Sequence, residues 1–247
     1  SVKSRGLGDV YKRQAIDSVP LTAIAFFMLT GELMTSATIT DRLVALSRAL
    51  IGRIRGGLAQ VNVLVSMFSA GMNGSVVADT ATVGALVLPA MKKAGYPAAF
   101  SAAVTGVSST IGGIIPPSIM MIVLANATEI SIASLFAAGI IPGILIGVVI
   151  MVINHYFAVK YNFERSDEPF SVRRAGKELY RSSFALLIPL VLVGSVMGGV
   201  ASVVEAGAIT ALVALFTGVF VYRTIKWKDC TGAFRRAFRN SAMVFII

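Results

Sequence analysis

From Gly56 to Asn126 the chain is apolar enough to enter a bilayer, yet it is interrupted twice in ways a simple spanning helix does not tolerate. The first interruption is Ser69-Ala70-Gly71-Met72-Asn73-Gly74-Ser75-Val76-Val77-Ala78-Asp79-Thr80. The second is Ser108-Ser109-Thr110-Ile111-Gly112-Gly113-Ile114-Ile115-Pro116-Pro117-Ser118. In hydrocarbon an unpaired backbone N–H or C=O is costly, so non-helical backbone persists at membrane depth only where protein or a wet cavity satisfies it. Two such breaks close together predict a site.

Composition supports the bilayer. With 56% hydrophobic and 14% charged residues and a mean hydropathy of +0.81, the 247 residues carry more apolar surface than one soluble core can hide. Apolar runs at Ile16–Met34, Ala98–Ala125, Ile132–Val159, Phe184–Val200 and Val203–Tyr222 approach or exceed the roughly 17–25 residues that cross as a helix. Weak period-2 alternation argues against a β-barrel. The net charge of +10 sits in short connectors between apolar runs, which is the pattern of cytoplasmic loops and not of a nucleic-acid surface. Cys230 and His155 each stand alone, so neither a disulfide nor a Cys/His metal cluster is expected.

Charge then orders the chain. Ser1–Gln14 is basic and Gly-punctuated, lacks the apolar core of a signal peptide, and reads as a tag or assembly scar (1–14). Residues 15–57 hold the first span and then Asp41–Gly57, where Leu43, Leu46, Leu50 and Ile54 at helical spacing oppose Arg42, Arg48, Arg53 and Arg55. That pattern fits an amphipathic helix on the membrane surface or a solvated connector. Residues 58–91 divide at Gly71–Ser75 into two limbs too short to cross separately, and both flanks are basic, Arg53/Arg55 before and Lys92/Lys93 after. A re-entrant hairpin opening to the cytoplasm satisfies both flanks. Residues 98–159 read as a discontinuous helix and a return span kinked at Pro142-Gly143, 160–182 as a cytoplasmic loop, and 183–247 as two more spans ending in a C-terminal truncation.

Chemistry concentrates at the breaks. Asp79 is the acid most expected to be buried, at about 2.5 to 3.5 kcal/mol near a helix centre. It either supports a cation site and orders the hairpin tip, or caps the second limb through backbone N–H groups. Asn73, Gly74 and Ser75 offer turn-permissive oxygen donors, matched across the second break by Ser108, Ser109, Thr110 and Gly112. Oxygen ligands suit a hard cation such as Na⁺; small residues also serve close helix packing. Pro116 and Pro117 enforce the second break. Glu32, Glu129 and Glu205 lie near span ends and take no role. Discontinuous helices are where secondary transporters hold substrate and coupling ions. A membrane hydrolase using Ser75 or Ser109 lacks a base, since neither broken segment contains His or Lys.

Taken together, Gly56-Gly57-Leu58-Ala59-Gln60-Val61-Asn62-Val63, Ala70–Thr80, Ser108–Gly112, Ile114–Ser118, Ala138-Gly139-Ile140-Ile141-Pro142-Gly143 and Glu205-Ala206 resemble the large membrane subunit of tripartite ATP-independent periplasmic (TRAP) transporters. The resemblance covers Ile16 to Ile247. It implies an all-α polytopic protein of the bacterial inner membrane with elevator-type architecture, its first repeat complete and its second truncated. The implied function is sodium-driven import of organic acids such as dicarboxylates or sialic acids, with Na⁺ as coupling ion. The implied partners are a small four-span membrane subunit and a periplasmic substrate-binding protein. On this resemblance Gly71, Asn73, Gly74, Ser75, Asp79 and Thr80, with Ser108, Ser109, Thr110, Gly112, Pro116 and Pro117, form a sodium and substrate half-site. Gly113 and Ala25 depart from the usual Pro. A related symporter that needs no binding protein is the alternative.

Overall fold

The structure is a computed structural model that describes residues 19–52, 54–163 and 171–246, with side chains described for all of these except 19–21, 73, 227 and 243–246. The Ser1–Gln14 segment and residues 164–170 of the 160–182 loop lie outside the described residues. Every regular element among the described residues is helical. In order they are α1 (Val19–Ser36), α2 (Ile39–Ile51), α3 (Gly57–Asn73), α4 (Val76–Lys93), α5 (Ala98–Ser109), a 3-10 turn (Thr110–Gly113), α6 (Ile119–Thr128), α7 (Ile132–Lys160), α8 (Val172–Met197), α9 (Val203–Phe216) continued by a π turn (Thr217–Val221), and α10 (Trp227–Ile246).

Among the described residues three helices, α7, α8 and α9 with its π turn, are long and apolar enough to cross a membrane; α1 and α2, bent by 69°, add a fourth if counted as one span. The apolar run Ala98–Ala125, read as a discontinuous helix, holds two helices of 12 and 10 residues, α5 and α6, separated by residues 110–118. At 1.5 Å per residue these reach only about 18 and 15 Å, so neither crosses alone.

At the end of α1, Thr38 takes a left-handed φ of 53° and α2 departs. The chain's amphipathic helix is shorter than the expected Asp41–Gly57, running Ile39–Ile51. Its buried side, Ile39, Leu43 and Leu46, lies against α3 and α8, and Arg48 points outward. Helix α7 runs unbroken through Pro142. Gly139, Gly143, Gly147, Asn154 and Ala158 form its buried face, while Ile141, Leu145, Val152 and Tyr156 are exposed on the other, as lipid contact requires. Helix α8 begins at Val172, inside the stretch read as a loop: Ser171 caps it by accepting from the Arg174 N–H, so Arg173, Arg174, Lys177 and Arg181 are helical.

Three basic stretches meet at one corner. The Arg42 guanidinium sits 3.8 Å over the Tyr222 ring, the Tyr222 hydroxyl donates to the Arg181 carbonyl at 3.0 Å, and the Ser182 hydroxyl donates to the Arg42 carbonyl at 3.3 Å. Helix α10 lies along α1, where Arg236 Nε meets Glu32 at 2.6 Å and Asn240 Nδ2 donates to it at 3.1 Å. The other two end-of-span acids are also local: Glu129 terminates α6 with φ 56°, and Glu205 completes a capping box with Ser202.

Candidate functional site

Helices α3 and α4 pack on each other as a hairpin. The Gly56 backbone lies against Ala158, and the Tyr96 ring lies 4.7 Å from that of Phe163, so both ends of the hairpin sit at the C-terminal end of α7. The interruption itself is only Gly74-Ser75; Gly71 and Asn73 belong to α3, Asp79 and Thr80 to α4. Gly74 ends α3 with φ 57°, and Ser75 starts α4 by accepting from the Ala78 N–H at 3.4 Å.

The second break is longer. After the 3-10 turn the backbone extends through a cis Pro116-Pro117 bond to Ser118, which caps α6 through the Met121 N–H and donates its hydroxyl to the Gly113 carbonyl at 2.8 Å. The two breaks touch. The Ile119 N–H donates to the Gly74 carbonyl at 3.2 Å, and a Cβ on Gly74 would lie 2.6 Å from the Pro117 carbonyl oxygen. Built onto Gly112, a Cβ would lie 3.7 Å from the Ser75 carbonyl oxygen. Freed backbone in each break is therefore partly satisfied by the other, which answers the requirement that predicted the site. Helices α4 and α6 both start at this junction, so two positive helix ends converge there.

Beside the junction, Asp79 is fully buried, facing the hydroxyls of Ser66, Ser69 and Ser109. Neither carboxylate oxygen, nor the Ser109 hydroxyl, completes a hydrogen bond of ordinary geometry. The alternative role for Asp79, capping the second limb, is taken by Ser75. Gly71, Gly74, Ser75, Asp79, Ser109, Gly112, Pro116 and Pro117 are thus brought together. Gly71 serves packing there: a Cβ would come within 2.9 Å of Pro189 on α8. Thr80 and Thr110 are not part of the cluster, because both are exposed and bond their own helices, to the carbonyls of Val76 and Val107. Ser108 turns away from Asp79: its hydroxyl proton is shared between the Thr105 carbonyl at 3.1 Å and Asn62 Oδ1 at 3.3 Å, and its oxygen accepts from Ser66 at 3.3 Å.

The family model described as "Tripartite ATP-independent periplasmic transporter, DctM component" matches residues 7–247. The chain belongs to this family. Its DctM match begins within the basic N-terminal stretch that the charge pattern sets apart. Among curated relatives, it is 34% identical to the sialic acid TRAP transporter large permease protein SiaM of Vibrio cholerae, over 94% of this chain and 54% of that protein. It is 35% identical to the C4-dicarboxylate TRAP transporter large permease protein DctM of Pseudomonas aeruginosa, over 92% and 53%. Identity is also 35% to the 2,3-diketo-L-gulonate TRAP transporter large permease protein YiaN of Escherichia coli, over 94% and 54%. The chain spans about half the length of these relatives.

Within this chain, sequence reasoning missed Ser66 and Thr105 and gave Asn62 and Ser69 no role. A signal was present. Asn62, Ser66 and Ser69 follow the same four-three spacing as Ser101, Thr105 and Ser108, one polar stripe on each of two apolar helices. Of the two departures from the family pattern, Gly113 faces Val76, whose Cγ2 a Cβ would meet at 3.2 Å, and Ala25 lies within α1.

Proposed function

We propose that this chain carries half of the ion and substrate site in the large membrane subunit of a sodium-coupled, binding-protein-dependent secondary importer of organic acids in a bacterial inner membrane. C4-dicarboxylates, sialic acids and similar carboxylates are the substrate class. A small four-span membrane subunit and a periplasmic binding protein are its partners, and an elevator movement of hairpin and broken helix is its mechanism.

The observation that carries the reading is the Asp79 carboxyl group, buried beside the meeting of the two breaks and facing three serine hydroxyls with no basic side chain against it. An ionised carboxylate buried here without a cation is strongly unfavourable. A bound Na⁺ offsets it, and the donor set fits that ion: a carboxylate and the hydroxyls of Ser66, Ser69 and Ser109 are all hard oxygen ligands. Among the described residues no group of three or more His, Cys, Asp or Glu competes as a metal site. The substrate carboxylate is served by the N-termini of α4 and α6, whose partial positive charge favours an anion. Cation and anion thereby bind side by side, each lowering the cost of the other.

In the full-length transporter reconstituted with its partners, Asn73→Leu and Ser109→Leu are each expected to abolish sodium-dependent uptake while membrane insertion stays unchanged. Normal sodium dependence in both variants would sink the assignment. Undiminished uptake by vesicles lacking the binding protein would replace the three-part importer with the simpler symporter.

A further inference from the structure

We propose that Asn62 and Thr105 are positioning residues that set the rotation of α5 against α3 and thereby keep Ser109 facing Asp79; the inference rests on the site reading above. Asn62 Nδ2 donates to Thr105 Oγ1 at 2.7 Å, while Asn62 Oδ1 accepts from Ser108 at 3.3 Å. One amide on α3 is therefore gripped at both ends by α5. The ladder extends on each side: the Ser66 hydroxyl donates to Ser108 at 3.3 Å, and the Thr105 hydroxyl donates to the Ser101 carbonyl at 2.9 Å. All four side chains are buried, so a broken rung cannot be replaced by bulk water.

The geometry has a directional consequence. Ser108 and Ser109 are neighbours on a helix and point about 100° apart. Pinning Ser108 between Asn62 and Ser66 leaves Ser109 turned toward the carboxylate of Asp79 on α4. Neither Asn62 nor Thr105 bonds Asp79 directly; they act on the site by fixing the helix that presents Ser109 and, through Ser108, by orienting the Ser66 hydroxyl. A purely apolar α3/α5 contact would allow several rotations of similar energy; the amide permits one.

The test uses full-length transporter reconstituted with its partner subunits, with uptake followed against external sodium. Thr105→Val keeps the shape and removes the hydroxyl. It is expected to raise the sodium concentration for half-maximal uptake roughly tenfold, the effect of losing one buried hydrogen bond, with the maximal rate at saturating sodium within about twofold of the parent. Thr105→Ser is expected to restore the parent value. Val87→Ala, a buried apolar change on α4, should lower thermal stability without moving the sodium response. An unchanged half-maximal sodium in Thr105→Val, or an equal shift in Val87→Ala, overturns the proposal.

Amide hydrogen exchange separates this from the function beneath it. Thr105→Val should speed exchange across residues 108–115 and leave α9 unaffected; unaltered exchange there overturns the ladder whatever the coupling ion. Uptake by the parent protein that ignores sodium would overturn the coupling reading instead, and the exchange experiment would still decide the ladder.

Discussion

Helix α3 meets α5 and α7 by opposite means. Against α5 it presents side chains that bond other side chains, Asn62 to Thr105 and Ser66 to Ser108. Against α7 it presents close backbone: a Cβ on Gly147 would lie 2.5 Å from Met67 Sδ, and one on Gly56 would lie 2.5 Å from the Ala158 Cβ. The polar ties on that side reach only carbonyls, Gln60 Nε2 to Met151 at 2.8 Å and Asn154 Nδ2 to Ala59 at 3.5 Å. Carbonyls recur at every helical residue, so such ties hold two helices together without dictating one rotation. A side-chain ladder dictates it. Closeness is thus supplied by the α7 seam and orientation by the α5 seam.

The harshest way to break this arrangement is at the tip both seams support. Gly74→Val places a β-branched residue at φ 57°, costing about 1–2 kcal/mol in backbone alone, and drives its Cβ onto the Pro117 carbonyl. Uptake should vanish and the melting temperature in detergent should fall. Gly147→Leu overfills the α7 seam at an expected ~1–3 kcal/mol. It should lower the melting temperature while leaving the half-maximal sodium concentration of the surviving protein unchanged, the reverse of Thr105→Val; a sodium shift here would erase the distinction between the seams. Gln60→Met removes one tie and also the unbonded buried Gln60 Oε1, so about 1 kcal/mol or less is expected from thermal unfolding. The smallest effect should come from Glu32→Gln, which loosens α10 from α1 at a partly exposed ion pair and should cost under ~1 kcal/mol, less at high salt.

Much of the fold was legible because apolar length and punctuation are local signals. The return span Ile132–Val159 is found as Ile132–Lys160, and the two breaks fall within the segments rich in Gly, Ser and Pro. Elsewhere context overrode composition. Pro142 leaves α7 a single helix, its exposed and apolar surroundings notwithstanding. The basic residues before Phe184 read as a loop because they are not apolar, but Ser171 caps them into the start of α8. At the site, residue type carries no direction: Thr80 and Thr110 are hydroxyls that face outward and bond the carbonyls of Val76 and Val107. Rotation of a helix in a uniformly apolar run leaves little trace in sequence. The matched spacing of Asn62, Ser66 and Ser69 with Ser101, Thr105 and Ser108 is the trace it left here.

The single backbone bond from Ile119 to Gly74 makes each break the other's terminus. Residues 57–93 and 98–128 are therefore one unit of exchange, although either could be excised cleanly on the linear map. A chimera that takes the hairpin from one relative and the broken helix from another must match a carbonyl at one tip to an amide at the other, and the glycine that lets them approach. Swaps that carry both segments should express and insert where swaps of either alone do not. Recombination between such permeases is then expected to leave its crossovers outside the interval from Gly57 to Thr128, not at the connectors within it.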